Sequence, residues 1–96
     1  MTTIKALMNL RGRRALITGA VGGLGRVMAQ TLAELGADLV LLDRSETRLP
    51  ELADKLSNDW GGRVAIKHCD LENQEQRDHL IKAIREENKL DILINN

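Results

Sequence analysis

Eight residues near the start of the chain, Thr18 to Gly25, read TGAVGGLG, with glycine at 19, 22, 23 and 25. Glycine at such density, directly ahead of a helical pattern, suits one kind of chemistry. A tight turn without β-carbons lets backbone amides approach a pyrophosphate, and the helix N-terminus adds partial positive charge. No Gly-Lys-Ser/Thr follows, so the phosphate loop of ATPases and GTPases is excluded. Other reactive side chains are poorly arranged. His68, Cys69 and Asp70 are consecutive, and on a strand they would alternate faces rather than converge on a metal or form a nucleophile–base pair. Cys69 reads as a small buried apolar residue, and His79 as facing solvent on a helix. The basic run Arg11 to Arg14 reads as a solvated lead-in to a strand, and Glu86 and Glu87 as ordinary helix-end residues. The chain has no tyrosine and no phenylalanine, and Trp60 is its sole aromatic residue, so no phenol is available as a proton donor.

The elements that must position the loop alternate. RALIT, Arg14 to Thr18, is a short aliphatic run closed by glycine and is predicted as a strand. Leu24, Val27, Met28, Leu32 and Leu35 recur at helical spacing and predict an amphipathic helix, stopped at Gly36 by a left-handed cap. Leu39 to Leu42 are consecutive aliphatics, as in a strand covered on both faces. The second helix buries Leu49, Leu52, Ala53 and Leu56, and Pro50 puts its start near Thr47. VAIKHC, Val64 to Cys69, is a third strand. A third helix is opened by Asn73, with Gln76 reaching back as in a capping box, and buries Leu80, Ile81 and Ile84. DILIN is a fourth strand. The order β-α-β-α-β-α-β predicts an α/β fold, a partial doubly wound (Rossmann) arrangement of parallel strands with helices on both faces.

Composition narrows the setting. Fourteen basic and fourteen acidic residues leave no net charge, which argues against a nucleic-acid or anionic-membrane partner. No run approaches the roughly 20 apolar residues of a membrane span. One cysteine permits no intrachain disulfide, and a reducing, cytoplasmic setting is expected. The 96 residues suffice for one domain and no more.

TGAVGGLG, the pair Asp70–Leu71 after the third strand and Asn95–Asn96 after the fourth resemble, in order and spacing, the short-chain dehydrogenase/reductase family. Gly19, Gly22 and Gly25 also satisfy the fingerprint of the epimerase-like branch, while Asn95–Asn96 favours the dehydrogenase branch. The resemblance implies an NAD(P)-binding oxidoreductase moving hydride between an alcohol or carbonyl and a nicotinamide cofactor, with 3-oxoacyl carrier-protein reductases among the candidates. It implies cofactor contacts at Gly19, Val21, Gly22, Gly23, Leu24 and Gly25 around the pyrophosphate, and at Asp43 and Arg44 around the adenosine ribose. Asp70 and Leu71 would flank the adenine, and Asn95 and Asn96 the nicotinamide-side ribose. Asp43 could accept from both ribose hydroxyls and would repel a 2′-phosphate by about 4 kcal/mol at close, partly screened range. Gly22 stands where many NADP-preferring relatives carry a basic residue. NAD is therefore expected ahead of NADP, with Arg44 as the counter-argument.

The family's Ser, Tyr and Lys catalytic residues and its oligomerisation helices belong to segments beyond the Asn-Asn motif. The sequence reads as an amino-terminal cofactor-binding portion with no catalytic residue of its own. Two other readings stand beside that one: a non-catalytic nucleotide-binding module, and an interaction fragment whose fourth strand pairs with a second chain.

Overall fold

A computed structural model describes residues 8–44, 48–87 and 90–96. Strands β1 (Arg14–Thr18), β2 (Asp38–Asp43), β3 (Val64–His68) and β4 (Ile92–Ile94) alternate with helices α1 (Gly23–Glu34), α2 (Arg48–Trp60) and α3 (Gln74–Glu86). All the strand pairs are parallel, in the spatial order β3-β2-β1-β4. The expected β-α-β-α-β-α-β order is the one observed. The predicted start near Thr47 lies outside the described residues; Arg48 is already helical.

Side chains alternate across the sheet and build two apolar layers. Ala15, Ile17, Leu39 and Leu41 face α1 and α2, where they meet Ala29, Ala33, Leu49, Leu52, Ala53 and Leu56. Leu16, Val40, Leu42 and Cys69 face the opposite way, against Leu80 and Ile84 of α3. The four aliphatics of β2 are all nearly inaccessible, as a strand buried on both faces requires. Full burial of each such side chain is worth about 1.5–3 kcal/mol.

Two helix faces differ from expectation. Leu24 and Val27 are 64% and 58% exposed, whereas Gly25, Ala29 and Ala33 are buried. The buried stripe of α1 is rotated by one residue from the predicted one, because its N-terminal turn packs too close to the β1 turn for large side chains. On α3, Leu80 and Ile84 are partly covered but Ile81 is 49% exposed. Ile81 sits about 100° round the helix from Leu80, off the contact line.

Two helix ends show how local chemistry sets the boundaries. At Gly36 the backbone turns to φ +98°, its N–H bonding Ala33 O while the Ala37 N–H bonds Leu32 O. This pairing closes α1 with the expected left-handed cap. Asn73 caps α3 through Oδ1, which accepts from the Gln76 N–H at 3.0 Å. Gln76 reaches back past Asn73: its Oε1 accepts from the Asp70 N–H at 2.7 Å, and the Asn73 N–H goes to Asp70 O. The box is thus one turn wider than predicted.

The helix-end and lead-in charges also depart from the plain solvated reading. Glu87, just past α3, accepts from Arg14 Nη2 and Lys67 Nζ across the sheet face. Asp91 receives the Arg14 N–H at 2.9 Å, with Arg13 Nη1 at 3.5 Å. Hydrogen bonds from Lys67, then Arg14, hold the Glu87 carboxyl below the usual carboxylate range. These charges tie the end of α3 to β1 and β3, with Asp91 bound at the start of β1.

Candidate functional site

The strand order reverses direction at β1: β2 and β3 lie on one side of it, β4 on the other. In open parallel sheets this is the switch point, and ligands bind outside the carboxyl ends of the strands there. A cleft of about 490 Å³ occupies that position. Thr18 and Gly19 line it from the end of β1, Leu42 and Asp43 from β2, Cys69 and Asp70 from beyond β3, and Asn96 from beyond β4.

The glycines of the turn do different things. Gly19 has φ +62°, a left-handed conformation that disfavours a side chain. A β-carbon at Gly25 would lie 2.1 Å from Gly19 O, so this glycine lets helix and turn close on each other. At Gly23 a β-carbon would meet nothing within 4 Å. That open side of the turn is where a ligand could approach. Gly22 is the N-cap of α1 and supplies no side-chain cap, so the first amides of the helix are left to an outside acceptor. The turn itself is braced by Gly22 N–H to Gly19 O, and by Arg26 Nε to Val21 O at 2.9 Å.

Asp43 is tied to the same turn: its Oδ2 accepts from the Val21 N–H at 3.1 Å. An ionised carboxylate has about four acceptor positions, so this contact leaves capacity for ribose hydroxyls. Beside it, Arg44 lines the cleft, and so does Arg48, the first residue of α2. Sequence reasoning missed Arg48. Its signal was a second arginine a few residues past Asp43, and only the return of the chain into α2 aims it at the cleft.

Asn95 and Asn96 are bound to the turn through Thr18. The Asn96 N–H donates to Thr18 Oγ1 at 3.0 Å, and the Thr18 hydroxyl lies 3.3 Å from both Ile94 O and Asn95 Oδ1. One hydroxyl proton serves either acceptor. Asn96 Nδ2 reaches Gly19 O at 3.3 Å. The two asparagines therefore join the end of β4 to the glycine turn.

Of the residues read as candidate cofactor contacts, Gly19, Val21, Gly22, Asp43, Arg44, Asp70, Leu71 and Asn96 line one cleft. Gly23, Leu24, Gly25 and Asn95 are not in its lining. Gly25 and Asn95 brace its wall, and Leu24 points outward. Asp70 also holds its own turn, with Oδ1 accepting from the Glu72 N–H at 3.0 Å. Cys69 is buried; burial first, then the Asp70 carboxylate, raises its thiol pKa, so it lines the cleft as a neutral apolar wall.

A doubly wound parallel sheet, with a glycine turn and an acidic strand end meeting at its switch point, defines a dinucleotide-binding α/β protein. The sequence profile of the short chain dehydrogenase family matches residues 13–96. The chain belongs to that family. A 3-oxoacyl-[acyl-carrier-protein] reductase, FabG, of Rickettsia bellii is 37% identical over 90 residues, which are 94% of this chain and 34% of the relative. The crystal structure of L-sorbose reductase from Gluconobacter frateurii, complexed with NADPH and L-sorbose, superposes with a TM-score of 0.85 at 36% identity. The match covers 93% of this chain and 34% of that one. A short-chain dehydrogenase from Sphingobium yanoikuyae in complex with NADPH gives a TM-score of 0.83 at 37% identity, over 88% of this chain and 33% of that one. The chain thus spans about a third of the length of these relatives.

Proposed function

We propose that this chain is the NAD(P)-binding portion of a short-chain oxidoreductase that moves hydride between a nicotinamide cofactor and an alcohol or carbonyl substrate. The observation that carries the reading is the uncapped start of α1, beside a glycine turn braced by Asp43 and Asn96, at the switch point of the sheet. The amides of Gly23, Leu24 and Gly25 would hold the pyrophosphate, Asp43, Arg44 and Arg48 the adenosine ribose, and Asp70 and Leu71 the adenine. Asn95 and Asn96 would border the nicotinamide side. The bound nicotinamide supplies or accepts the hydride. The carrier-protein-linked 3-oxoacyl group named for the Rickettsia relative is one substrate class for the whole enzyme.

Asp43 argues for NAD. Arg44 and Arg48 argue for NADP, as do the NADPH-bound neighbours. Two guanidinium groups near a 2′-phosphate outweigh one carboxylate already engaged with the Val21 N–H, so we place NADP ahead. Reduction of a carbonyl also needs a proton donor at its oxygen, and this chain carries no tyrosine to serve. The 96 residues alone are therefore proposed to bind without turnover.

Calorimetric titration with NAD and NADP tests the reading. Saturable binding of both is expected, tighter for NADP, with the advantage reduced about tenfold in Arg48→Ala. If neither dinucleotide binds saturably, the assignment fails. A second reading, completion of the sheet by another chain, is favoured by one feature: Leu93 of β4 is 60% exposed on a strand paired on one side only, among the described residues.

A further inference from the structure

The corner at the end of β2 is held by contacts from separate segments, and one of them is a histidine side chain to which nothing above gives a role. Asp43 and His68 are register partners on adjacent parallel strands. Their side chains therefore lie on the same face, toward α1 and α2. Asp43 O accepts from the Cys69 N–H at 3.1 Å, and Asp43 Oδ2 accepts from the Val21 N–H. One residue further on, where Arg44 has left the β2 ladder, its carbonyl oxygen lies 2.5 Å from Nε2 of His68. A carbonyl only accepts, so this ring nitrogen must carry a proton and donate.

We infer that His68 is a positioning residue for the adenosine-ribose end of the site. By holding the Arg44 carbonyl it orients the Arg44 peptide, and with it the guanidinium that meets a ribose 2′-phosphate. The inference rests on the dinucleotide reading above and adds to it the group that sets cofactor discrimination. Asp43 keeps its bonds to Cys69 and Val21 when His68 is altered. Loss of the histidine is expected to loosen Arg44 more than the pyrophosphate turn, which Asp43 Oδ2 holds through the Val21 N–H. A residue that merely held the fold together would weaken every ligand alike.

The test uses the 96-residue chain and two small probes, adenosine 5′-monophosphate and adenosine 2′,5′-bisphosphate, which differ only in the 2′-phosphate. His68→Phe keeps a ring but removes the donor; His68→Gln restores an amide N–H that can reach the same carbonyl. In His68→Phe the bisphosphate is expected to bind about fivefold more weakly, while the monophosphate changes less than about twofold, a preorganisation loss of the size of one hydrogen bond. His68→Gln recovers most of the difference. In an Arg44→Ala background, His68→Phe has no further effect on the ratio of the two affinities, since the two residues act on the phosphate as one unit. The inference is overturned by an unchanged ratio in His68→Phe, whether both affinities hold or both fall together. Equal defects in His68→Phe and His68→Gln overturn it as well. If the unaltered chain binds the monophosphate and gains nothing from the 2′-phosphate, the dinucleotide reading survives and the His68 role does not. Absence of saturable binding for both probes removes the underlying reading.

Discussion

A methyl group added at Gly25 would sit 2.1 Å from Gly19 O, and no side-chain adjustment can relieve a clash with backbone. Gly25→Ala is therefore expected to cost about 1–3 kcal/mol, read as a lower urea midpoint. Gly23→Ala is the contrast: its β-carbon meets nothing within 4 Å. It should leave stability unchanged or raise it by up to about 1 kcal/mol through helix propensity, yet weaken dinucleotide binding, because the empty side is where the pyrophosphate is proposed to lie. If Gly23→Ala binds as tightly as the unaltered chain, the pyrophosphate does not lie against this turn. Thr18 is the other decisive single residue. Its buried hydroxyl accepts from the Asn96 N–H and donates toward the end of β4. Thr18→Val keeps the shape but strips those bonds, and should lower unfolding free energy by about 1–3 kcal/mol. Amide exchange at Asn96 should quicken with it; protection equal to the unaltered chain would mean that β4 is held by its ladder alone.

Among the elements, α3 depends most on charge. It carries no fully buried residue, and beyond Leu80 and Ile84 it is secured at its end by Glu87, between Arg14 and Lys67. A carboxylate there opposes the negative end of the helix dipole, and the two cations offset it. Because the Glu87 pKa is lowered on folding, its contribution is full above the unfolded carboxylate range. It is lost as pH falls through the lower, folded value. Glu87 is partly exposed, so the pair energy is screened and amounts to no more than about 1 kcal/mol. Glu87→Gln should show that small loss at neutral pH and a shallower fall in stability below about pH 4. An acid limb identical to that of the unaltered chain would show the clamp to be energetically silent. Sequence patterning read α2 correctly, because large residues at helical spacing did the packing. It misplaced the α1 stripe because there the contact selects Gly25, Ala29 and Ala33, which carry little hydrophobic signal.

At the scale of the molecule, the sheet has two different outer strands. β3 is backed by α2, while β4 is three residues long, pairs with β1 and shows Leu93 at 60% exposure. Such an edge is a template for another strand. Sedimentation at rising concentration should detect self-association, and Leu93→Lys should shift the population toward monomer. A monomer at every concentration before the substitution would remove the edge as an interaction surface.

The element order, the buried β2 and the glycine turn were legible in the sequence, since each is set by residues adjacent in the chain: aliphatic runs, helical spacing, a left-handed glycine. The resemblance carried by Thr18–Gly25, Asp70–Leu71 and Asn95–Asn96 extended that reading to a nucleotide cleft. Tertiary structure decided which glycine serves packing and which leaves room, that Arg48 joins Asp43 and Arg44 in the cleft lining, and that Glu87 spans to Arg14 and Lys67. It also decided that His68 reaches Arg44. These facts depend on residues distant in sequence being brought side by side by strand order and register, and no local pattern encodes a distance between them.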